Sequence, residues 1–312
     1  MNYNDFNSAM KKRFGTKVYK LALDGGFTCP NRDGKLDTRG CVFCSGGSGS
    51  FSEGGGTIAS QIERAKTRVG SKIKDGKFIA YFQRYTNTYA PVSRLEELFS
   101  QAIAHPDIAA VSVATRPDCL EPDKVELLAR LNKIKPVWVE LGLQTVNPVT
   151  ARYIRRGYEL PVYDDAMHRL KAAGLETVVH MIIGLPGETA EDIYRTAEYI
   201  SRSGADGVKL QLLHVLRGTD LCRDYEQGLF RALELSEYIA LLQGCILRLR
   251  PDIVIHRMTG DGDKRELMAP LWSGNKKLVL NAIRRSFEES GLTQGALMSQ
   301  KEEIPPFLPV SR

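Results

Sequence analysis

Six short apolar runs alternate with helix-patterned stretches along residues 18–250, and this alternation limits the fold more than any other feature. The runs are Val18 to Leu23, Phe78 to Phe82, Ala110 to Ala114, Val137 to Leu141, Thr177 to Ile183 and Val208 to Val215. Each is apolar nearly throughout, the pattern of a strand buried on both faces of a parallel sheet. The stretches between them carry helical spacing and helix punctuation. Ile58, Ile62, Ala65 and Val69 share one helical face. Ser93-Arg94-Leu95-Glu96 is a capping box that predicts the start of the next helix. Pro122 opens a helix to about Asn132, Gly174 closes one from Pro161 to Ala173, and Thr189 caps one to about Ser203. A last one runs from Leu235 to Leu249. Helical crossovers of this length force right-handed βαβ units. Six units predict an α/β fold, a partial (three-quarter) TIM-type barrel of about (β/α)6. Residues 1–250 form this barrel with a basic N-terminal arm. Residues 251–312 form a C-terminal extension, with a strand at Ile253 to His256, a helix from Lys276 to Ser290 and a proline-containing tail.

The loop after the first run holds three cysteines, Cys29, Cys41 and Cys44, spaced C-x11-C-x2-C among glycines. Three thiolates are one short of the four that saturate an iron–sulfur cluster or a structural zinc. A [4Fe–4S] cluster held by three cysteines keeps one iron open to a small molecule. S-adenosylmethionine (SAM) can chelate that iron through its amino and carboxylate groups, and an electron from the cluster can then cleave it to a 5′-deoxyadenosyl radical. Zinc would want a fourth ligand nearby, and the closest histidine is His105. A disulfide is disfavoured because residues 1–14 lack the apolar core of a secretory signal. Cys119, Cys222 and Cys245 are scattered and read as small buried hydrophobes.

No apolar run approaches the ~20 residues that cross a bilayer, and a reducing cytoplasm is the expected location. The formal charge of +6 is concentrated: residues 1–77 carry 14 Lys and Arg against 7 Asp and Glu. Such a footprint suits a polyanion such as RNA, with a solvated helix face as the alternative. Arg64, Lys66 and Arg68 on the first helix, with Lys11, Lys12, Arg13 and Lys72, are the expected phosphate contacts.

In barrels of this kind the active site lies at the C-terminal ends of the strands. The cysteine loop falls there. So do Gln83-Arg84-Tyr85, Thr115-Arg116-Pro117-Asp118, Gly142-Leu143-Gln144-Thr145 and Gly184-Leu185-Pro186-Gly187-Glu188.

These motifs, with Tyr81 to Tyr89, Glu140 to Thr145, His180 to Glu188, Gly46 to Ser50 and Pro270-Leu271-Trp272, give the chain a specific likeness. It resembles the radical SAM superfamily, in particular the YtqA/YhcC-like family close to the Elongator catalytic subunit, over residues 14–295. The resemblance implies that Cys29, Cys41 and Cys44 hold the cluster. It implies that Glu140 and Gln144 contact the ribose and methionine parts of SAM, and that the Gly184–Gly187 turn lies near the adenine. Many relatives grip the SAM amino group with a Gly-Gly-Glu-like turn after the second strand. Here that position reads Gln83-Arg84-Tyr85, which nominates Gln83. An ion pair inside the barrel mouth is the alternative for Glu140. A hydrogen-bonded core histidine is the reading for His180. No residue is assigned to substrate proton handling.

The resemblance further implies work on modified nucleobases. One branch takes the tRNA wobble 5-carboxymethylaminomethyluridine to 5-aminomethyluridine. Another is a queuine lyase acting on the free base. Both cut a C–N bond and leave an aminomethyl group. Hydrogen abstraction beside the secondary amine would place a radical next to that bond. The basic N-terminal quarter favours tRNA as partner. An external electron donor such as flavodoxin or ferredoxin completes the set. A non-enzymatic iron–sulfur sensor or electron carrier is a rival from another class, but carriers usually saturate the cluster with four cysteines.

Overall fold

Seven parallel strands hydrogen-bond in the order β1-β2-β3-β4-β5-β6-β8 and form a curled half-barrel. The computed structural model describes residues 2–46, 52, 54–70, 76–260 and 262–298. The strands are β1 (Val18–Leu23), β2 (Lys77–Phe82), β3 (Ile108–Thr115), β4 (Val137–Gln144), β5 (Glu176–Ile183), β6 (Gly207–Leu212) and β8 (Val254–Arg257). The crossovers run through α2 (Ile58–Val69), α3 (Val92–Ala104), α4 (Pro122–Asn132), α6 (Leu160–Ala172), α7 (Ala190–Arg202) and α9 (Leu235–Arg248). Their apolar faces pack on the outside of the sheet. Leu95 and Phe99 of α3, Leu127 and Leu128 of α4, and Ile193 and Ile200 of α7 are all buried in one continuous core. Burying each such side chain stabilises the fold by about 1.5–3 kcal/mol.

The sheet has one more strand than the six units counted from the sequence. The seventh, β8, comes from the stretch assigned to the C-terminal extension. It pairs with β6 from Gly207↔Val254 to Lys209↔Arg257. The sixth strand is shorter than expected. It stops at Leu212, and Val215–Leu216 (β7) pairs antiparallel with Leu267–Ala269 (β9) in a separate small sheet. The chain turns at His214, whose ring fills the space where Cβ atoms of Gly260 and Gly262 would stand, at 2.5 and 2.7 Å. The Ser93 capping box does not form. Helix α3 starts at Val92 with Pro91 as N-cap and no side-chain cap. The proline ring presets the backbone two residues early, and its carbonyl accepts from Arg94 and Leu95. The Thr189 box does form, with Asp192. Helix α1 (Phe6–Phe14) covers the N-terminal end of the barrel, where Met10 packs on Val18, Ile79 and Trp138. Short helices α5 (Pro148–Tyr153) and α8 (Asp220–Glu226) were not expected, whereas α10 (Lys276–Ser290) was. Among the described residues no helix is long and apolar enough to cross a membrane. Gly47 to Ser50, Lys72 and the tail from 299 lie outside the described residues.

Candidate active site

The cysteine loop is held in place by polar contacts that its own sequence supplies. Asn31, nearly fully buried, donates to the Arg155 carbonyl at 2.7 Å and to Cys41 Sγ at 3.5 Å. Arg32 Nη2 donates to the Cys44 carbonyl at 2.5 Å. The loop wraps that guanidinium so closely that a Cβ on Gly40 would stand 2.8 Å from it, and Gly40 has φ +77°. Cys44 N donates to the Cys41 carbonyl, closing the C-x2-C turn. Two further bonds, Val42 N to Ile154 O and Leu221 N to Val42 O, pin the loop to α5 and α8. Thr86 N to Thr28 O pins its other end beside β2.

Cys29, Cys41 and Cys44 all line a single cavity of about 280 Å³ at the C-terminal mouth of the barrel. Gln83, Glu140 and Gln144 line it too, as do Tyr85, Arg116 and His180. Gly184 and Gly187 do not. Their positive φ values shape the turn after β5, where a Cβ on Gly184 would meet Leu233 at 2.8 Å. The scattered Cys119, Cys222 and Cys245 are buried away from it, as their spacing suggested.

Backbone strain collects at this mouth. Among the described residues, three that are not glycine have positive φ: Tyr85 (61°), Gln144 (69°) and Arg155 (54°). Tyr85 and Gln144 line the cavity, and the Arg155 carbonyl holds Asn31 of the cysteine loop. Such positions cost of order 1–3 kcal/mol each and persist where surrounding contacts over-determine them. Gln144 sits on a break in the β4–β5 register. Its amide folds back over Gly142, and its Oε1 is buried with no hydrogen-bond partner. A buried amide oxygen left in this state on a cavity wall is a place for a ligand donor. The strand ends behind it are braced by Arg116, which grips Asp118 at 2.9 and 2.8 Å and the Arg156 carbonyl at 2.8 Å. Arg156 in turn donates to the Thr145 carbonyl at 2.7 Å.

Below the mouth lies a layer of charge inside the barrel. Glu140 is fully buried, and both its oxygens are taken. Oε1 accepts from Lys20 at 2.8 Å and Ser112 at 2.6 Å. Oε2 pairs with His180 Nε2 at 2.7 Å and with Lys209. Burial alone would raise the Glu140 carboxyl, but Lys20 and Lys209 override it and hold it well below its usual range. Burial, reinforced by Lys209, pushes His180 down to about 4, so the ring is neutral near pH 7. Lys209 also donates to the Tyr81 hydroxyl at 2.7 Å. This layer was missed in the sequence apart from Glu140 and His180. A signal was present: one ionisable residue interrupts each of four otherwise apolar strands, at Lys20, Glu140, His180 and Lys209.

The donor set fits an iron–sulfur cluster better than a lone metal ion. Four ligands at ~2.3 Å around one tetrahedral zinc stand ~3.8 Å apart. The three thiols share one cavity, and Glu140, its one carboxylate lining among the described residues, is taken by Lys20, Ser112, His180 and Lys209, which leaves a zinc ion one ligand short. Burial, with Cys44 beside it, pushes the Cys41 thiol up to about 11, so its thiolate form calls for a coordinated metal.

Comparison with known proteins gives the same answer. Residues 38–200 match the radical SAM superfamily domain and residues 205–289 the radical SAM C-terminal domain. The chain belongs to the radical SAM superfamily. It is 42% identical over 304 residues to YtqA of Bacillus subtilis, covering 96% of this chain and 94% of that protein. It is 34% identical over 295 residues to YhcC of Escherichia coli, covering 94% and 95%. The fold is shared with the archaeal Elp3 of Methanocaldococcus infernus at 18% identity. There the TM-score is 0.64, over 89% of this chain and 64% of that one. The cofactors of the family are a [4Fe–4S] cluster and SAM.

Proposed function

We propose that this radical SAM enzyme cuts a C–N bond on a modified nucleobase within tRNA, taking 5-carboxymethylaminomethyluridine at the wobble position to 5-aminomethyluridine. Cys29, Cys41 and Cys44 would hold the cluster, which when bound supplies the electron that makes a carbon radical from SAM. Gln83 and Gln144 would hold SAM above the charged layer. Glu140 keeps its four protein partners and supports the wall beneath, in place of the direct contact expected for it. Gly184 and Gly187 shape the turn that closes the mouth. An external donor such as flavodoxin or ferredoxin would reduce the cluster.

One observation supports a polynucleotide over a free base. The cavity shares His214, Gly260 and Gly262 with a second one of about 400 Å³. Lys264, Arg265 and Lys276 line that neighbour, with Asp263 as counter-charge. It offers room and positive charge for a phosphate backbone beside the base being cut. Three of the basic residues first expected to take this role are engaged within the chain. Lys66 bridges Glu63 and Asp107 at 2.9 and 2.5 Å, Arg13 pairs with Glu176 at 2.7 Å, and Arg64 holds the Gly54 and Gly55 carbonyls.

The test is mass spectrometry of tRNA nucleosides from a strain lacking the gene. The expected result is accumulation of 5-carboxymethylaminomethyluridine, reversed by the wild-type gene and not by Cys41→Ala. An unchanged wobble uridine, together with altered queuine salvage, would replace this reading with the lyase.

A further inference from the structure

Two consecutive side chains of the cysteine loop turn back onto the cysteines. Asn31, nearly fully buried, donates to Cys41 Sγ at 3.5 Å. Arg32 donates to the Cys44 carbonyl at 2.5 Å, and its guanidinium also meets the Cys44 side chain as a hydrogen-bond donor. It lines the cavity together with all three thiols. A guanidinium does not lose its proton in a protein, so a fixed positive charge stands beside Cys44 at any working pH.

The loop is shaped to keep that charge in place. Gly40 and Gly46 have φ of +77° and +71°, which glycine adopts without steric cost. A Cβ on Gly40 would stand 2.8 Å from the guanidinium and displace it, and Gly46 closes to ordinary contact, with its Cβ position 3.4 Å from Nη1. The acids of the loop have other partners: Asp24 accepts from Arg84 at 3.0 Å, Asp33 from the Lys35 N–H at 3.1 Å, and Asp37 from Arg39 at 3.3 Å. Arg116, also on the cavity wall, is bound to Asp118 at 2.9 and 2.8 Å, so that pair brings little net charge.

We propose that Arg32, with Asn31 beside it, acts through the cysteine ligands to raise the reduction potential of the cluster that Cys29, Cys41 and Cys44 would hold. The inference rests on the proposed assignment of those three ligands. An electron entering the site adds negative charge at the thiolates. A guanidinium and a hydrogen-bond donor set against the sulfurs stabilise that added charge more than they stabilise the oxidised site. Hydrogen bonds to the sulfurs, net charge and exposure are the levers by which a protein sets such a potential, and the partners of the ligands carry much of that control. With the potential raised, a weaker one-electron donor suffices to reduce the site.

The experiment reads the cluster and not turnover. Full-length protein, reconstituted anaerobically and without SAM, is titrated with dithionite through redox mediators. The electron paramagnetic resonance signal of the reduced cluster is followed, and iron is counted in each sample. Arg32→Gln should keep its iron and show a potential lower by about 60 mV, the tenfold change of a lost charge-assisted hydrogen bond converted for one electron. Arg32→Lys keeps the charge and should recover part of the shift. A side chain that only braces the loop would not move the potential of a loaded cluster, so an unchanged or raised potential in Arg32→Gln overturns the inference. If Arg32→Gln takes up no iron, Arg32→Lys decides: a lowered potential keeps the inference, and a wild-type potential or lost iron ends it. Wild-type protein that takes up no iron, or Cys44→Ala that keeps a full cluster, overturns the ligand assignment itself and this inference with it.

Discussion

Glu140→Gln is the sharpest perturbation of this barrel, because it removes one charge and almost no volume. The carboxylate is fully buried and bonds Lys20, Ser112, His180 and Lys209 at once. The amide can satisfy one oxygen's partners but turns an NH2 towards the rest, and two lysines lose their counter-charge. Breaking a buried pair from one side costs about 3–5 kcal/mol. At roughly 2–4 °C per kcal/mol the melting temperature should fall by on the order of 10 °C. The loss should depend on pH, and its sign follows from Lys209. Its folded pKa is already lowered by burial, and losing Glu140 lowers it further. Between the folded and unfolded values the unfolded chain binds the extra proton, so stability rises with pH. The penalty should therefore shrink as pH rises through the lowered folded value of Lys209. Thermal unfolding of both proteins between pH 6 and 9.5 measures this. The pair Glu140→Gln with Lys209→Met should recover part of the loss, since contacting residues couple. A melting temperature unchanged by Glu140→Gln, or a penalty flat with pH, would refute the view that one carboxylate balances the layer.

Three further outcomes are expected. Reconstituted protein should carry about four iron and four sulfide, lost in Cys29→Ala, Cys41→Ala or Cys44→Ala and kept in Cys119→Ala, Cys222→Ala and Cys245→Ala; stoichiometric zinc without iron would contradict the assignment. Gln144→Ala should weaken SAM binding about tenfold, as loss of a hydrogen bond predicts, with iron content unchanged; calorimetric titration with SAM reads it. Glu188 is raised by burial to about 7, so its folded pKa lies above its unfolded one and stability should fall as pH rises from about 4.5 through 7. Glu188→Gln should flatten that slope in urea titrations at pH 5 and 8, and an unaltered slope would assign it to another group.

Much of the barrel was legible because its determinants are local. Continuous apolar runs marked the strands, helical spacing marked the crossovers, and Gly174 and Thr189 marked helix ends within a residue. Local rules failed where two starts competed, as at Pro91 over Ser93, or where a side chain from elsewhere bent the chain, as His214 did at the end of β6. The cysteine triad was legible from spacing alone, since three thiols in one loop share a site by chain connectivity. Gly184 and Gly187 are not on the cavity lining, and the space beside Gly184 is filled by Leu233. Glycine answers equally to a ligand and to a neighbouring side chain, which no local pattern separates.

Sequence by itself determined the fold class, the three thiols and the loops at the mouth, because period, punctuation and spacing act over a few residues. Only the tertiary structure decided what the lone charges inside the strands do. Lys20, Glu140, His180, Lys209 and Arg257 come from five strands spread over more than two hundred residues. Sheet register alone sets them side by side, and register depends on every strand closing the barrel together. Which partners a buried glutamate bonds is set by what the neighbouring strands bring within 3 Å, which no local pattern encodes.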